Sequence, residues 1–411
     1  MQIPSMFSPG RISGVLLPLF SLRSSGDAGI GDFGALEGLF RWMNAARQKI
    51  LMLLPLLPTL PGDTSPYATR SAFGLNPVFI DLDQVPEFAE SGGWAGLPDG
   101  ERRQLDEARN SRRILYDRVL ALKGAALQRA FAQFERTDWR SGSERAAALR
   151  RYQQEQGRWL EPLALFCAIS DARNHQAWWE WPQALRTRDE RAMAAERERL
   201  WSEVLFHSWR QWIAETQWQQ VRNAARRYQV LLCGDEPFIV GQDSVDTWSH
   251  PEILRCDARL GVPPDPFSAT GQDWGLPYFD FAEMEKDDFA WLKFRAERTA
   301  AYYDVRRVDH ALGYFRQWIR DEKTPSGRFI PPDEPSQRAQ GERLFRLLSG
   351  SAGIIAEDLG MVPDFVRETL PRLAIPGYRV LRWERDDGVY RDPQRFPKHS
   401  LVTTGTHDTE T

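Results

Sequence analysis

Seven short apolar runs recur along the chain, and most are followed by a polar loop and a helical pattern. Continuous apolar runs of about four to eight residues are typical of parallel strands that are buried on both faces. Strand, loop and helix in alternation predict an α/β fold, and right-handed crossovers would close such a sheet into a (β/α)8 barrel of the TIM type. The runs are residues 12–17, 50–55, 230–234, 305–309, 354–357, 378–383 and 401–405.

The spacing of these runs also predicts the domain organisation. Residues 83–228 are rich in Arg, Glu, Ala, Leu and Trp and have almost no strand pattern, which predicts a mostly helical insertion between strands 2 and 3. We therefore expect two barrel strands with a substrate loop in residues 1–82, the insertion subdomain in 83–228, and strands 3 to 7 with the catalytic residues in 229–411. Seven strands are one fewer than a closed barrel of this type contains, so we expect the sequence to be an incomplete copy of a longer enzyme.

Composition excludes several classes of partner. The net charge is −4, so the overall electrostatics favour neither nucleic acid nor an anionic membrane as a partner. The three cysteines are too few and too scattered for a disulfide framework, which fits a cytoplasmic protein. The N-terminus lacks a basic region followed by an apolar core, and no stretch approaches the roughly 20 apolar residues of a membrane span. The oligomeric state is left open.

Three carboxylic acids, Asp309, Glu357 and Asp408, stand at or just after three of the apolar runs. The strand ends of a barrel open into one crevice, so we expect the three side chains to converge there. One carboxylate that attacks and one that donates a proton are what retaining glycoside chemistry needs. Each acid alone could instead be a structural partner of an arginine, as Asp309 could be of Arg306 or Arg307, but three together favour an active site.

A glycine pattern raises a different possibility. Residues 29–34 match the dinucleotide fingerprint G-x-G-x-x-G, but the first predicted strand ends well before Gly29 and no acid follows the second strand. A dehydrogenase is therefore the weaker alternative. The six histidines are dispersed and no metal-binding motif is present, so we predict no metal site.

Several motifs follow one another along nearly the whole chain. They include Ser65-Pro66-Tyr67, Trp178-Trp179-Glu180-Trp181-Pro182, Gly234-Asp235-Glu236-Pro237, Asp243-Ser244-Val245-Asp246-Thr247-Trp248 and Gly271-Gln272-Asp273-Trp274-Gly275. In these motifs and around the three acids, the chain resembles the 4-α-glucanotransferases (amylomaltases, or disproportionating enzymes) of glycoside hydrolase family 77, in the α-amylase clan. Members of that family continue for a further stretch after the third acid, which is a second reason to expect an incomplete copy.

The resemblance implies roles for individual residues. It implies that Asp309 is the nucleophile, Glu357 the general acid/base, and Asp408 the residue that grips sugar hydroxyls in the transition state. It implies a maltooligosaccharide or 1,4-α-glucan donor, glucose or another glucan as acceptor, and neither a metal nor an organic cofactor. The positions that match glucan contacts in the family are Tyr67, Asp235, Gln272, Trp274, Arg307, His310, Asp386 and His407.

The chain also departs from the family pattern. The family usually has a second arginine shortly after the nucleophile, whereas here Ala311, Leu312 and Gly313 follow His310. The acceptor preference therefore stays open. An α-glucan hydrolase and an inactive glucan-binding fragment remain the alternatives.

Overall fold

A seven-stranded parallel sheet forms the centre of the protein. The computed structural model describes residues 10–264, 271–321, 324–350 and 352–409. Strands that follow one another in this sheet are also neighbours in space, and every adjacent pair is parallel. In spatial order they are β1 (Gly14–Leu17), β2 (Ile50–Leu53), β3 (Leu231–Glu236), β6 (Val305–Val308), β9 (Gly353–Ala356), β10 (Gly377–Val380) and β13 (Ser400–Thr403). Each of the seven predicted runs overlaps one of them, so the predicted parallel α/β sheet is confirmed.

Both faces of this sheet are covered. Met52 pairs with Cys233 across β2 and β3, and these side chains share a buried cluster with Ile355 on one face. Leu51 pairs with Leu232, and these point to the opposite face, where helices cover them. Successive side chains of a strand alternate between faces, so a strand buried on both sides needs apolar residues at nearly every position.

Helices follow most of the strands. Seven of them, α2 to α8, lie between β2 and β3 in the chain, and residues of α1 and α8 share one buried cluster with β2. Pro363 immediately precedes the first residue of α13, where its missing N–H removes no helical hydrogen bond. The helices are α1 (Leu36–Ala45), α2 (Pro86–Glu90), α3 (Asp99–Asn110), α4 (Tyr116–Phe134), α5 (Glu144–Ala172), α6 (Gln183–Arg186), α7 (Glu190–Arg199), α8 (Trp201–Arg227), α9 (Val245–Ser249), α10 (Phe281–Glu285), α11 (Ala290–Tyr302), α12 (Glu334–Leu348) and α13 (Asp364–Arg372).

Two antiparallel sheets accompany the parallel one, and the apolar runs do not predict either. Four strands pair in the order β5-β4-β7-β8, and two very short ones form a hairpin. In the larger sheet the buried residues Leu260, Phe279 and Ile319 each follow a more exposed residue of their strand. This alternation gives no continuous apolar run. The strands are β4 (Leu254–Val262), β5 (Gln272–Phe279), β7 (Gln317–Asp321) and β8 (Thr324–Ile330), with β11 (Arg385–Asp386) and β12 (Val389–Tyr390) in the hairpin.

The glycine pattern at residues 29–34 serves packing within the protein. A Cβ atom on Gly31 would lie 2.1 Å from the carbonyl oxygen of Leu19, and one on Gly34 would lie 2.1 Å from Oδ2 of Asp81. The space that a dinucleotide fingerprint leaves for a pyrophosphate is therefore filled here by the protein's own atoms. The dehydrogenase alternative gains no support from this segment.

Candidate active site

The carboxyl ends of β3, β6 and β9 bring four polar residues together. Asp235 lies in β3 and pairs with Arg307 in β6, while Asp309 and Glu357 directly follow β6 and β9. Hydrogen bonds continue past the strand ends, because Asp309 N donates to Glu236 O at 3.0 Å and Glu357 N donates to Val308 O at 3.0 Å. The backbone at both acids is therefore held by the neighbouring strand.

Arg307 links two of the carboxylates. Its Nη1 donates to Oδ1 of Asp235 at 2.7 Å and to Oδ1 of Asp309 at 2.8 Å. The side chain of Arg307 is 7% exposed and that of Asp309 is 25% exposed. Burial opposes the charge of the guanidinium, but the carboxylates of Asp235 and Asp309 outweigh it and raise the pKa of Arg307. A buried cation with two carboxylate partners is kept ionised by them.

Asp235 also binds Tyr67. The Tyr67 hydroxyl donates to Oδ2 of Asp235 at 2.6 Å, so both oxygens of this carboxylate have a partner within the protein. The Asp235 side chain is fully buried, and burial raises its pKa to about 6 although Arg307 opposes the rise. Burial, followed by the charge of Asp235, raises the pKa of Tyr67, so its phenol is protonated and acts as the donor. Asp235 therefore contacts other side chains of the site and is not itself exposed to solvent.

The Glu357 carboxyl group is held by two backbone N–H groups. His310 N donates to Oε2 and Leu359 N donates to Oε1, each at 2.9 Å. Burial, and next the negative charge of Asp309, raise the pKa of Glu357 to about 7, against the effect of Arg307 and the two N–H groups. At neutral pH this group exchanges readily between its acid and carboxylate forms, as general acid/base catalysis requires.

Aromatic rings and histidines line the rim. The rings of Tyr67 and His407 stack with centroids 5.1 Å apart, and those of Trp274 and His310 meet edge to face at 4.9 Å. Trp274 Nε1 donates to Oε1 of Gln272 at 3.2 Å. Burial lowers the pKa of both histidines, which favours their neutral form. Flat apolar faces next to neutral hydrogen-bonding groups suit a sugar ring.

Asp408 and Asp386 lie outside this buried cluster. Asp408 is 78% exposed, and its Oδ2 lies 3.1 Å from Nε2 of His407, so it borders the rim beside the ring that stacks on Tyr67. Asp386 is 66% exposed in the β11–β12 hairpin, where Arg391 binds it at 2.8 Å. The structure therefore brings most of the predicted residues together, whereas Asp386 is exposed and forms an ion pair with Arg391.

Tyr378 is a site residue that the sequence motifs do not single out. The guanidinium carbon of Arg307 lies 5.6 Å from the centroid of its buried ring, close enough for a cation–π contact. Tyr378 lies in β10, one of the predicted strands, and its side chain shares a face with Cys233 and Ile355. An aromatic residue on that face of the sixth strand is the signal that could have indicated it.

Comparison with known proteins identifies the family of the chain. The sequence model of glycoside hydrolase family 77, described as 4-alpha-glucanotransferase, matches residues 17–411. The chain belongs to the 4-alpha-glucanotransferase family. The 4-alpha-glucanotransferase of Synechocystis sp. is 36% identical over 421 residues, covering 98% of this chain and 79% of its own. That of Thermus thermophilus is 33% identical over 428 residues, covering 100% of this chain and 80% of its own.

Solved structures show the same family likeness. The amylomaltase of Streptococcus agalactiae, solved in complex with acarbose, superposes with a TM-score of 0.82 at 28% identity and covers 97% of this chain and 80% of its own. The residues that the structure describes contain no group of three or more His, Cys, Asp or Glu side chains arranged to hold a metal ion. Within those same residues no helix has both the length and the apolar character that crossing a membrane requires.

Proposed function

We propose that the protein transfers a segment of a 1,4-α-glucan to the 4-hydroxyl of glucose or of another 1,4-α-glucan by retaining double displacement. The observation that carries this proposal is the pairing of Arg307 with Asp309 beside a Glu357 whose pKa is raised to about 7. Arg307 binds and orients one carboxylate for attack, while Glu357 holds a proton for the leaving group.

In the first step Asp309 attacks the anomeric carbon as the glycosidic bond breaks. Glu357 gives its proton to the departing oxygen, which leaves as a free 4-hydroxyl group, and a covalent glycosyl–Asp309 ester remains. In the second step an acceptor 4-hydroxyl attacks that carbon, Glu357 takes its proton, and the ester bond breaks. Two inversions give net retention. Asp408 binds sugar hydroxyl groups at the rim of the site in the transition state.

Glucan is held at the same edge of the sheet. Tyr67, Trp274 and His407 supply ring faces, and Gln272 and His310 supply hydrogen-bonding groups. The acarbose complex of the Streptococcus agalactiae amylomaltase supports an oligosaccharide ligand here. We assign Asp235 to the positioning of Arg307 and Tyr67, since both its oxygens are occupied.

The architecture proposed around this site is a (β/α)8 barrel of which seven strands are described. The parallel strands in sequence order support it, and an eighth strand would pair with β1 and β13 at the two sheet edges. The helices between β2 and β3 are then an insertion, and the divisions at residues 1–82, 83–228 and 229–411 follow. The three free cysteines agree with a cytoplasmic location.

Incubation with maltotriose tests the reaction. Transfer produces glucose together with a ladder of longer maltooligosaccharides, at a constant number of reducing ends. Hydrolysis makes reducing ends rise steadily and would replace the transferase with a hydrolase. Asp309→Asn should remove turnover by either route. Binding of maltodextrin without turnover in the unmodified chain would contradict an enzymatic role.

A further inference from the structure

A second cavity lies apart from the candidate active site. Its volume is about 300 Å³, and none of its lining residues belongs to the cluster around Asp309 and Glu357. Three buried aromatic side chains, Phe73, Trp159 and Trp291, form part of its wall, together with the half-buried Phe294. Cavities that bind small molecules are typically of about 300–1,000 Å³ and combine apolar walls with polar groups. This one has such a size, and half of its lining residues are polar.

The aromatic wall is a continuous surface. The rings of Phe73 and Trp291 meet edge to face at 5.8 Å, and those of Phe73 and Phe294 lie 5.1 Å apart. The guanidinium carbon of Arg158 lies 4.1 Å from the centroid of the Phe294 ring. A ligand in this cavity meets ring faces and edges on one side, which suits a molecule that itself has apolar C–H faces.

Polar groups complete the lining, and the charged ones already have partners. Lys286 binds Glu283, and Nδ1 of His250 lies 3.4 Å from Oε1 of Glu252. Asp287 accepts from Ala290 N at 3.2 Å. Carboxylates outnumber cations in the lining, so the cavity disfavours an anion. The acids are Asp246, Glu252, Glu283 and Asp287, and the bases are Arg158 and Lys286. The cavity offers hydrogen-bond donors and acceptors of both kinds to a neutral molecule with several hydroxyl groups.

The cavity is connected to the candidate active site through one chain segment. Phe73 lies in the segment that begins at Tyr67, and Oδ2 of Asp246, another lining residue, accepts from Ala72 N at 2.8 Å. The segment therefore presents Tyr67 to the candidate active site and Phe73 to the cavity.

We propose that this cavity is a second, non-catalytic site that binds a glucosyl unit of a 1,4-α-glucan. Size, aromatic wall and carboxylates that accept hydrogen bonds from hydroxyl groups identify a sugar ring as the ligand, and the choice of a 1,4-α-glucan rests on the proposed function. A glucan chain bound there is retained near the enzyme while another segment occupies the active site, which raises the effective concentration of substrate.

Calorimetric titration with maltotriose tests the site in the full chain carrying Asp309→Asn, which stops turnover. Two classes of binding site are expected. Adding Ala290→Trp, which fills the cavity, should weaken one class at least tenfold. The control Ala282→Trp adds the same ring at an exposed position of α10 that does not line the cavity and should leave both classes intact. Should Ala290→Trp prevent folding, Glu252→Ala at the exposed rim replaces it, with an expected weakening of about threefold.

The outcomes separate the two proposals. A single class of site that Ala290→Trp does not change overturns the second site, and so does binding of tetramethylammonium in place of maltotriose. If the unmodified chain also disproportionates maltotriose in that case, the proposed function stands alone. Loss of the cavity class in Ala290→Trp without any turnover by the unmodified chain supports the second site and overturns the proposed reaction.

Discussion

The backbone N–H of His310 donates to Oε2 of Glu357 at 2.9 Å. His310 directly follows Asp309 and has a left-handed backbone conformation, with φ of 45°. Such a conformation is uncommon outside glycine and is retained where surrounding contacts over-determine it. One turn at the end of β6 thus presents the Asp309 carboxylate and also orients the neighbouring acid. The two groups that share the proposed reaction are fixed by a single backbone feature.

The pH dependence of turnover follows from the proton that Glu357 must hold. Burial and the charge of Asp309 raise the pKa of Glu357 to about 7, so the group becomes ionised as the pH rises through that value. Because an ionised Glu357 cannot protonate the leaving oxygen, kcat/KM should fall on the alkaline side with an apparent pKa near 7. Rates measured from pH 5 to 9 check this. A flat profile up to pH 9 would contradict the assignment of Glu357.

The interaction between Asp309 and Glu357 can also be tested without turnover. Asp309→Asn removes a negative charge that raises the pKa of Glu357, so the Glu357 carboxyl should titrate at lower pH in that variant. NMR titration of 13C-labelled glutamate side chains measures the shift. Glu357→Gln identifies the resonance, because it removes that signal alone. An unchanged titration in Asp309→Asn would mean that the two carboxyl groups do not interact.

Asp235→Asn separates a positioning role from direct contact with glucan. Loss of the Asp235 charge leaves Arg307 with one carboxylate partner and changes the orientation that it imposes on Asp309. A misplacement of about 1 Å at the reacting groups lowers rates by about 10²-fold, so kcat should fall by about that factor while KM changes little. Steady-state kinetics with maltotriose measure both constants. A raised KM with unchanged kcat would instead indicate that Asp235 binds the sugar.

Tyr67→Phe is the matched control for that experiment. It removes the hydroxyl that donates to Asp235 but keeps the ring that stacks on His407. We expect a loss of about 1 kcal/mol in the free energy of unfolding, since one buried hydrogen bond is lost, and a smaller fall in kcat than in Asp235→Asn. Urea denaturation and the same kinetic assay compare the two variants.

The five inner strands could be predicted because they are mostly buried and therefore rich in apolar residues. The edge strands β1 and β13 carry apolar residues as well, although they are partly exposed. The antiparallel strands could not be predicted from apolar runs, because exposed and buried positions alternate in β4 and β5. The glycines and prolines in this part of the sequence also suggest a loop. Between these two strands, residues 265–270 fall outside the described part of the chain.

The sequence predicts which residues form the site better than it predicts the contacts between them. Strand ends indicate that Asp309 and Glu357 meet, because parallel strands open at one edge. Sequence cannot indicate that Asp235 turns both oxygens to Arg307 and Tyr67, since that depends on the register between β3 and β6 and on a segment far away in the chain. It equally cannot indicate that Asp386 binds Arg391 within a hairpin, because a local ion pair and a ligand contact need the same residue type.

A buried ion pair away from the site gives a prediction about stability. Nζ of Lys123 lies 4.0 Å from Oδ2 of Asp32 and donates to Ile80 O at 2.6 Å, and both side chains are nearly inaccessible. Burial raises the pKa of Asp32 to about 6 although Lys123 opposes the rise. A carboxyl whose pKa is higher in the folded state favours folding when protonated, and this contribution is lost as the pH rises from about 4 to about 6.

Lys123→Met should increase the amount of folding stability that is lost as the pH rises. Without the cation, the ionised Asp32 is buried and unpaired, so the variant should be less stable than the unmodified chain by about 3 kcal/mol at pH 8 and by clearly less at pH 5. Urea denaturation at the two pH values measures the difference, with Lys398→Met as an exposed control. Equal destabilisation at both pH values would mean that Lys123 acts through packing and its bond to Ile80 alone.

The exposed position of Asp408 makes its proposed role open to a direct test. Its carboxylate lies beside His407, whose ring stacks on Tyr67, so a glucan bound on these rings would come within reach of it. If Asp408 binds sugar hydroxyls more strongly in the transition state, Asp408→Asn should lower kcat by about 10²–10³-fold. Folding should be unaffected, because the side chain is 78% exposed. Asp386→Asn, also an exposed acid, serves as the comparison, and its separate ion pair predicts a much smaller effect. Equal effects of the two substitutions on kcat would exclude a special role for Asp408, because proximity to the stacked rings is what distinguishes it from Asp386.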